Sequence, residues 1–252
     1  MNKEKQRTYY KLKNFHSSYF SKHKILIFDL RKNMIGANSR LGIGLSKCEN
    51  LTNLTLNLQN CYFKTIGTQK LCDGLEQCSK LTSLTINLSR NNLKDEGTLI
   101  LGNRLRNVIN LTTLSIDLMH NNIGELGISN LGIELGQCQN LKRLTLQLEQ
   151  NYAGDQGTYD FSTGISKNKN LETLKINLKK NKLGDKGVSG LAICIQNCVK
   201  LYKISLQLQN NLIGNNGVQE LSSSIQECAN IQYFTLKLYQ NYQITSSSIQ
   251  RL

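Results

Sequence analysis

Leucine and isoleucine return along this chain of 252 residues at a fixed interval of 30. Each unit opens with a Leu-x-x-Leu-x-Leu-x-Leu segment, and the in-register units begin at Leu51, Leu81, Leu111, Leu141, Leu171, Leu201 and Ile231. Self-similarity at a fixed period is typical of a solenoid, in which each unit buries its apolar face only by stacking on its neighbours. The period therefore predicts one elongated array rather than two ordinary domains.

The unit that begins at Leu171 shows how the pattern changes within one period. Leu174, Ile176 and Leu178 alternate with polar residues, which is typical of a strand with one buried and one exposed face. From Val188 onward the apolar residues follow an i, i+3, i+4, i+7 stripe, which indicates an amphipathic helix. We therefore predict a strand, a turn and a helix in every unit.

The turn between strand and helix carries two kinds of recurring residue. Asparagine fills one position in six units, at Asn91, Asn121, Asn151, Asn181, Asn211 and Asn241, and Cys61 takes that position in an earlier unit. A buried amide stacked from turn to turn can satisfy backbone groups that the bend leaves unpaired. Two glycine columns follow, and they predict either positive φ angles or a close backbone approach. Acidic residues between the glycines, such as Asp155 and Asp185, predict caps at the helix N-termini.

These residues resemble the signature of leucine-rich repeat proteins, which ends in Asn or Cys at this turn position. The helical return is similar to the ribonuclease-inhibitor-like subclass. The resemblance implies an α/β horseshoe, with a parallel β-sheet on the concave face and helices on the convex face. The extra Leu-x pair of each unit predicts a strand about two residues longer than is usual in that subclass.

We place the leucine-rich repeat domain at residues 25–252. It contains one imperfect unit, marked by Leu26, Phe28 and Leu30, followed by the seven units in register. The last unit, which begins at Ile231, is incomplete because a serine run at 246–248 stands where its glycine is expected. No end cap is evident there, so a partner, self-association or further chain are the alternatives for this edge.

Composition indicates the cellular compartment and the state of the cysteines. The chain has no proline and no apolar run of the roughly 18–20 residues that span a bilayer, and no secretory signal follows Met1. We therefore expect a cytoplasmic protein. Five of the eight cysteines share one repeat position, namely Cys48, Cys78, Cys138, Cys198 and Cys228. Because paired Cys-x-x-Cys spacing is missing, we expect reduced structural thiols and neither a metal nor a cofactor.

The formal charge of +14 is unevenly distributed. Residues 1–24 form a basic N-terminal arm or cap in which lysines and arginine alternate with aromatic residues such as Tyr9 and Phe15. One interpretation is an arm that binds an acidic partner, nucleic acid or an anionic membrane surface. The other is a solvated extension whose apolar residues cap the first repeat.

Side chains between the buried strand leucines project from the concave face. They are mostly hydroxyl and amide groups in the first four units, whereas positive charge gathers in the later ones. The candidate partner-binding residues are Arg143, Lys175, Asn177, Lys179, Lys203, Gln207, Tyr233, Lys237 and Tyr239. Polar ladders that only stabilise parallel strands are the competing interpretation. Lysines on neighbouring strands repel one another, which favours an acidic partner, and the tyrosines are candidate anchors.

The functional expectation is a non-catalytic scaffold or adaptor that binds a protein, with an acidic one among the candidates. The subclass resemblance implies a binding module, and the histidines at His16, His23 and His120 stand apart from any nucleophile or paired carboxylate. No small-molecule substrate is expected. The resemblance also implies an alternative, a Ran GTPase activator-like regulator, although the acidic C-terminal tail of that family is missing. Binding of nucleic acid or an anionic surface through the basic arm is the third hypothesis.

Overall fold

The computed structural model describes residues 6–16, 20–36 and 39–245. Nine parallel strands form one sheet in chain order. They are β1 (Gln6–Tyr9), β2 (Ile25–Asp29), β3 (Asn53–Asn57), β4 (Ser83–Asn87), β5 (Thr113–Asp117), β6 (Arg143–Gln147), β7 (Thr173–Asn177), β8 (Lys203–Gln207) and β9 (Tyr233–Lys237). The helices are α1 (Leu12–His16), α2 (Leu41–Leu45), α3 (Lys64–Glu76), α4 (Lys94–Leu105), α5 (Glu125–Gly136), α6 (Gly154–Ile165), α7 (Asp185–Asn197) and α8 (Asn215–Glu227). Strand and helix alternate as predicted, in an arrangement consistent with a repeat solenoid.

The repeat register continues into the sheet without slippage. Leu54 lies beside Leu84, and Leu84 lies beside Leu114, so equivalent residues of successive units are strand neighbours. Backbone pairing extends past the strand ends, because the N–H groups of Leu58 and Asn60 donate to the next unit at 2.8 and 2.9 Å. Strands β2 to β9 have five residues each. How this length compares with that of related proteins stays a prediction.

The core lies between the sheet and the helices. Leu174 and Ile176 of β7 point into it with Leu191 of α7, and all three are buried. Lys175, between the two strand residues, is exposed on the opposite side. The alternation predicted from the sequence is therefore confirmed, and it leaves one side of the sheet without helices.

The asparagine column provides hydrogen-bond partners for the backbone groups of the turns, as predicted. The Asn121 side-chain oxygen accepts the backbone N–H groups of Asn91 and Leu93, at 3.0 and 3.2 Å. Its amide nitrogen donates to the carbonyls of Leu88 and Met119. Three of these groups belong to the preceding unit, so each asparagine completes the turn of the unit before its own.

The acidic residues cap helices, but the helices are not their own. An Asp155 carboxylate oxygen accepts the N–H groups of Gly184 and Gly187, at 2.7 and 2.8 Å. Gly184 is the N-cap of α7, which belongs to the following unit. Asp95 and Asp185 contact the next glycine of the same column in the same way. The prediction that these residues cap helix N-termini is confirmed for Asp155, and the structure adds that the cap joins successive units.

Most glycines of the two columns are explained by the close approach of neighbouring atoms, which leaves no room for a β-carbon. A β-carbon at Gly187 would lie 2.9 Å from the Asp155 carboxylate that caps α7. Gly184 itself has a φ of −109°, so the left-handed alternative does not apply there. Positive φ values occur at Gly154 of the same column, with φ of 56°, and at polar turn residues such as Arg90, with φ of 59°. No glycine marks those polar turn positions in the sequence.

The described part of the basic arm packs onto the first repeat. Strand β1 extends the sheet beside β2, and the buried rings of Tyr9 and Phe15 contact Phe28 with centroids 5.4 and 4.8 Å apart. His23 is also buried, with Nε2 3.4 Å from the Tyr9 hydroxyl. This packing favours the capping interpretation of the arm, since buried rings cannot stack on a ligand.

The other end of the sheet is less covered. Phe234, Leu236 and Leu238 of the last unit are only partly buried, together with Ile244. The equivalent Leu206 of β8 is fully buried. The serine run at 246–248 lies outside the described residues.

All eight cysteines are free thiols, and seven are buried. Burial raises the pKa of Cys48 and of Cys78 to about 12, which keeps both protonated. The Cys78 thiol lies 3.4 Å from the Leu45 carbonyl of the preceding unit, and Cys138 and Cys228 make the equivalent contact. Within the described ranges, no helix combines the length and apolarity needed to cross a membrane.

Candidate functional site

The candidate site is the sheet side opposite the helices, here called the open face. It consists of the third, fifth and seventh residues of each unit, which are the residues between the buried strand leucines. On β3 these residues are Asn53, Thr55 and Asn57, all uncharged. Charge increases toward β6 to β9, where all the predicted site residues lie on the strands or in the turns directly after them.

The predicted residues fall into a network and a set of separate side chains. Asn177 belongs to the network, because it is only 5% exposed. Its amide donates to Gln147 at 2.9 Å, and its oxygen accepts the Lys179 backbone N–H at 3.0 Å. The Lys179 ammonium lies 3.0 Å from Glu149, and both side chains are largely buried. Asn177 and Lys179 therefore organise the end of the strands more than they face solvent.

Arg143 has a looser environment. It lies on β6, and its guanidinium is 3.8 Å from the Glu172 carboxylate, which Lys142 approaches to 3.4 Å. The Arg143 and Lys142 side chains are about half exposed. Ion pairs of this kind contribute roughly 0–1 kcal/mol. Arg143 is therefore held only weakly and remains accessible to a partner.

An aromatic and cationic group lies at the start of β8 and β9. Lys203 and Tyr233 are strand neighbours, and the Lys203 ammonium lies 5.2 Å from the Tyr233 ring centroid. Tyr202 packs edge-on against the same ring at 6.4 Å. Tyr233 is nevertheless 57% exposed, so one face of this cluster is open to a ligand.

The remaining predicted residues lie apart from one another. Lys175 and Lys237 are exposed, and neither has an ion-pair partner in the described part of the chain. Gln207 lies between Asn177 and Lys237 in the strand register. Tyr239 follows β9 and is exposed.

The lysines lie on successive strands, as expected, but not directly opposite one another in the register. Lys175 lies beside Thr145 and Ser205, which carry no charge. Lys203 lies beside Thr173 and Tyr233. The register therefore places an uncharged residue directly beside each of these lysines. Lys203 lies two residues from the direct partner of Lys175, a diagonal separation that long side chains can still span.

A polar group on β5 and its turn was not among the predicted site residues. Burial raises the pKa of Asp117, and burial together with the nearby Arg90 lowers the pKa of His120. The Arg90 guanidinium lies 3.1 Å from His120 Nε2. The signal in the sequence was Asp117, a carboxylate in a column that holds mostly amides. Among the described residues, no three His, Cys, Asp or Glu side chains are placed to bind a metal ion.

No protein-family model matches the chain, and no curated protein is significantly similar to it.

Proposed function

We propose that this chain is a leucine-rich repeat scaffold of horseshoe shape, which binds an acidic protein on its open face. One observation supports the proposal most directly: cationic and aromatic side chains gather on β6 to β9, whereas β3 and β4 carry no charge on the same face. Stabilising ladders alone account for the threonine and amide columns, but they do not account for this gradient.

The balance of charge supports an acidic partner. Glu149 and Glu172 are the carboxylates paired with cations of this region, and they contact Lys179, Lys142 and Arg143. Lys175, Lys203 and Lys237 carry no such pairing in the described residues. Complementary potential of this kind accelerates association and excludes partners of the wrong charge. Tyr233 and Tyr239 add exposed aromatic surface, the type of side chain that dominates binding energy at interfaces.

The test is affinity capture with the intact chain and a variant in which Lys175, Lys203 and Lys237 are all changed to glutamate. We expect the variant to lose acidic protein partners, identified by mass spectrometry, because the added negative charge repels them. The matched control reverses three exposed helix lysines, Lys64, Lys70 and Lys186, and should retain the same partners.

Two further measurements separate this proposal from other functions. Capture after nuclease treatment should be unchanged, whereas a nucleic-acid binder would lose its ligand. Ran GTPase turnover should be unaffected by the chain, since no activator activity is proposed. Identical partners for the intact chain and the open-face variant would contradict the proposal.

A further inference from the structure

Large apolar side chains recur at one exposed turn position, directly after the buried asparagine. This position holds Met34, Tyr62, Asn92, Asn122, Tyr152, Lys182, Leu212 and Tyr242. Its apolar members are all more than half exposed. We call Tyr152, Lys182, Leu212 and Tyr242, which lie on four successive turns, the turn ridge. Because large apolar side chains are exposed on three of these four turns, the ridge is a candidate docking surface beside the open face.

The ridge residues are held by the backbone around them. Leu212 lies between Asn211 and Ile213, which are both buried. The Leu212 N–H donates to the Leu183 carbonyl of the preceding unit, and the Tyr152 N–H donates to the equivalent Ile123 carbonyl at 2.7 Å. The exposed side chains therefore project from a fixed frame, which lowers the entropy lost when a partner docks.

Positive charge lies on the ridge and directly beside it. The Lys182 ammonium lies 5.4 Å from the Tyr152 ring centroid, and Lys180, two residues earlier, is exposed. The carboxylates of Asp155 and Asp185 are directed to the helix starts of the following units, where each accepts a backbone N–H. Apolar groups interrupted by lysine are complementary to a partner surface that is apolar and acidic.

The spacing of the ridge suits an α-helix. Neighbouring strands lie about 4.8 Å apart, and one helical turn rises about 5.4 Å. A helix laid along the ridge would thus place one turn on each unit. Tyr152 and Leu212 are two units apart, which matches partner residues i and i+7, and Tyr242 then meets i+11. The residue at i+3 or i+4 falls against Lys182.

We propose that the turn ridge docks an acidic amphipathic helix of a protein partner. The apolar face of that helix packs on Tyr152, Leu212 and Tyr242, and a carboxylate at i+4 meets Lys182. Helix-in-groove recognition uses this pattern of anchors. The surface is separate from the open face, so it does not depend on the scaffold proposal above.

The test uses a synthetic labelled peptide that is helical, with leucine at i, i+7 and i+11 and glutamate at i+4 and on its flanks. Fluorescence anisotropy with the full chain should detect binding. Leu212→Ser should weaken it about tenfold or more, because an apolar anchor is lost. Lys182→Glu should weaken it similarly, and a peptide with lysine at i+4 should regain affinity for that variant.

The control is Tyr62→Ser, the same position on an early turn outside the ridge, which should bind like the intact chain. The proposal is overturned if the intact chain does not bind the peptide, or if Leu212→Ser and Tyr62→Ser bind equally well. It also fails if the open-face variant of Lys175, Lys203 and Lys237 loses binding while the ridge variants keep it.

Discussion

At the scale of single residues, the buried asparagines carry an unusual share of the hydrogen bonding. The Asn121 side chain satisfies four backbone groups, those of Asn91, Leu93, Leu88 and Met119. A helix or a strand bonds its own backbone, whereas this turn depends on one amide supplied by the following unit. The asparagine is therefore a structural requirement of the stack and is not available for binding.

Replacing Asn121 with alanine should destabilise the protein by at least about 3 kcal/mol. Each buried backbone group left without a partner costs roughly 1–3 kcal/mol, and several are lost together. Urea unfolding followed by circular dichroism gives the free energy of unfolding. Asn216→Ala, on the exposed surface of α8, is the control and should change stability by less than about 0.5 kcal/mol. A loss below about 1 kcal/mol for Asn121→Ala would contradict this account.

At the scale of elements, the approach of neighbouring helices varies along the array. Gly132 and Gly102 occupy the same repeat position on α5 and α4. A β-carbon at Gly132 would lie 2.3 Å from the backbone of Phe161 on α6, whereas one at Gly102 would meet Glu134 at an ordinary 3.4 Å. Helices α5 and α6 therefore lie too close for any side chain at Gly132.

Gly132→Ala and Gly102→Ala should consequently have opposite effects. The first forces α5 and α6 apart and should reduce the free energy of unfolding by about 2 kcal/mol or more. The second gains helix propensity without a clash and should raise stability by up to about 1 kcal/mol. Urea unfolding of both variants checks the pair. Equal effects of the two substitutions would show that the helix spacing described here is wrong.

The N-terminal elements should respond to acid. Burial lowers the pKa of His23 below its ordinary value of 6.5, and the charge of the nearby Arg7 lowers it further. The folded state therefore favours the neutral imidazole, so the stabilisation is present above pH 6.5 and is lost as the pH falls below it. We expect the free energy of unfolding to decrease between pH 7 and pH 5.

His23→Gln should flatten that decrease, as measured by urea unfolding at the two pH values. Some slope should persist, because the pKa of His120 is lowered as well. A variant whose slope equals that of the intact chain would rule out the buried imidazole as a cause.

The sequence predicted the elements well because the period repeats the same evidence in every unit. It did not predict which unit each polar group serves. Asp155 looks like a local helix cap, yet it caps α7 of the next unit, because stacking brings that helix start within reach. Asn177 looked like an exposed binding residue, yet its neighbours Gln147 and Lys179 enclose it. Contacts between units depend on stacking geometry, which a linear pattern does not contain.

At the scale of the whole molecule, the buried thiols follow the stack from one end toward the other. Native protein at pH 8 should show at most one cysteine that reacts quickly with a disulfide reagent, namely Cys228, which is only partly buried. Burial keeps Cys48 and Cys78 protonated, and the thiolate is the reactive form. After unfolding in guanidinium, all eight should react. The absorbance of the released thiol counts them.

Cys228→Ser is the control for that experiment and should remove the fast reaction. Two or more fast thiols in the native chain would mean that the stack opens more readily than its burial indicates.

The two polar contacts between units run in opposite directions along the chain. These directions determine how a repeat chain can gain or lose residues. An asparagine completes the turn before it, and an aspartate begins the helix after it. A deletion or insertion that ends inside a unit leaves backbone groups without hydrogen-bond partners on both sides of the junction. Tandem duplication of one whole unit restores both contacts at the new junction. Growth or shortening of the gene by complete units is therefore the route that keeps every intermediate foldable.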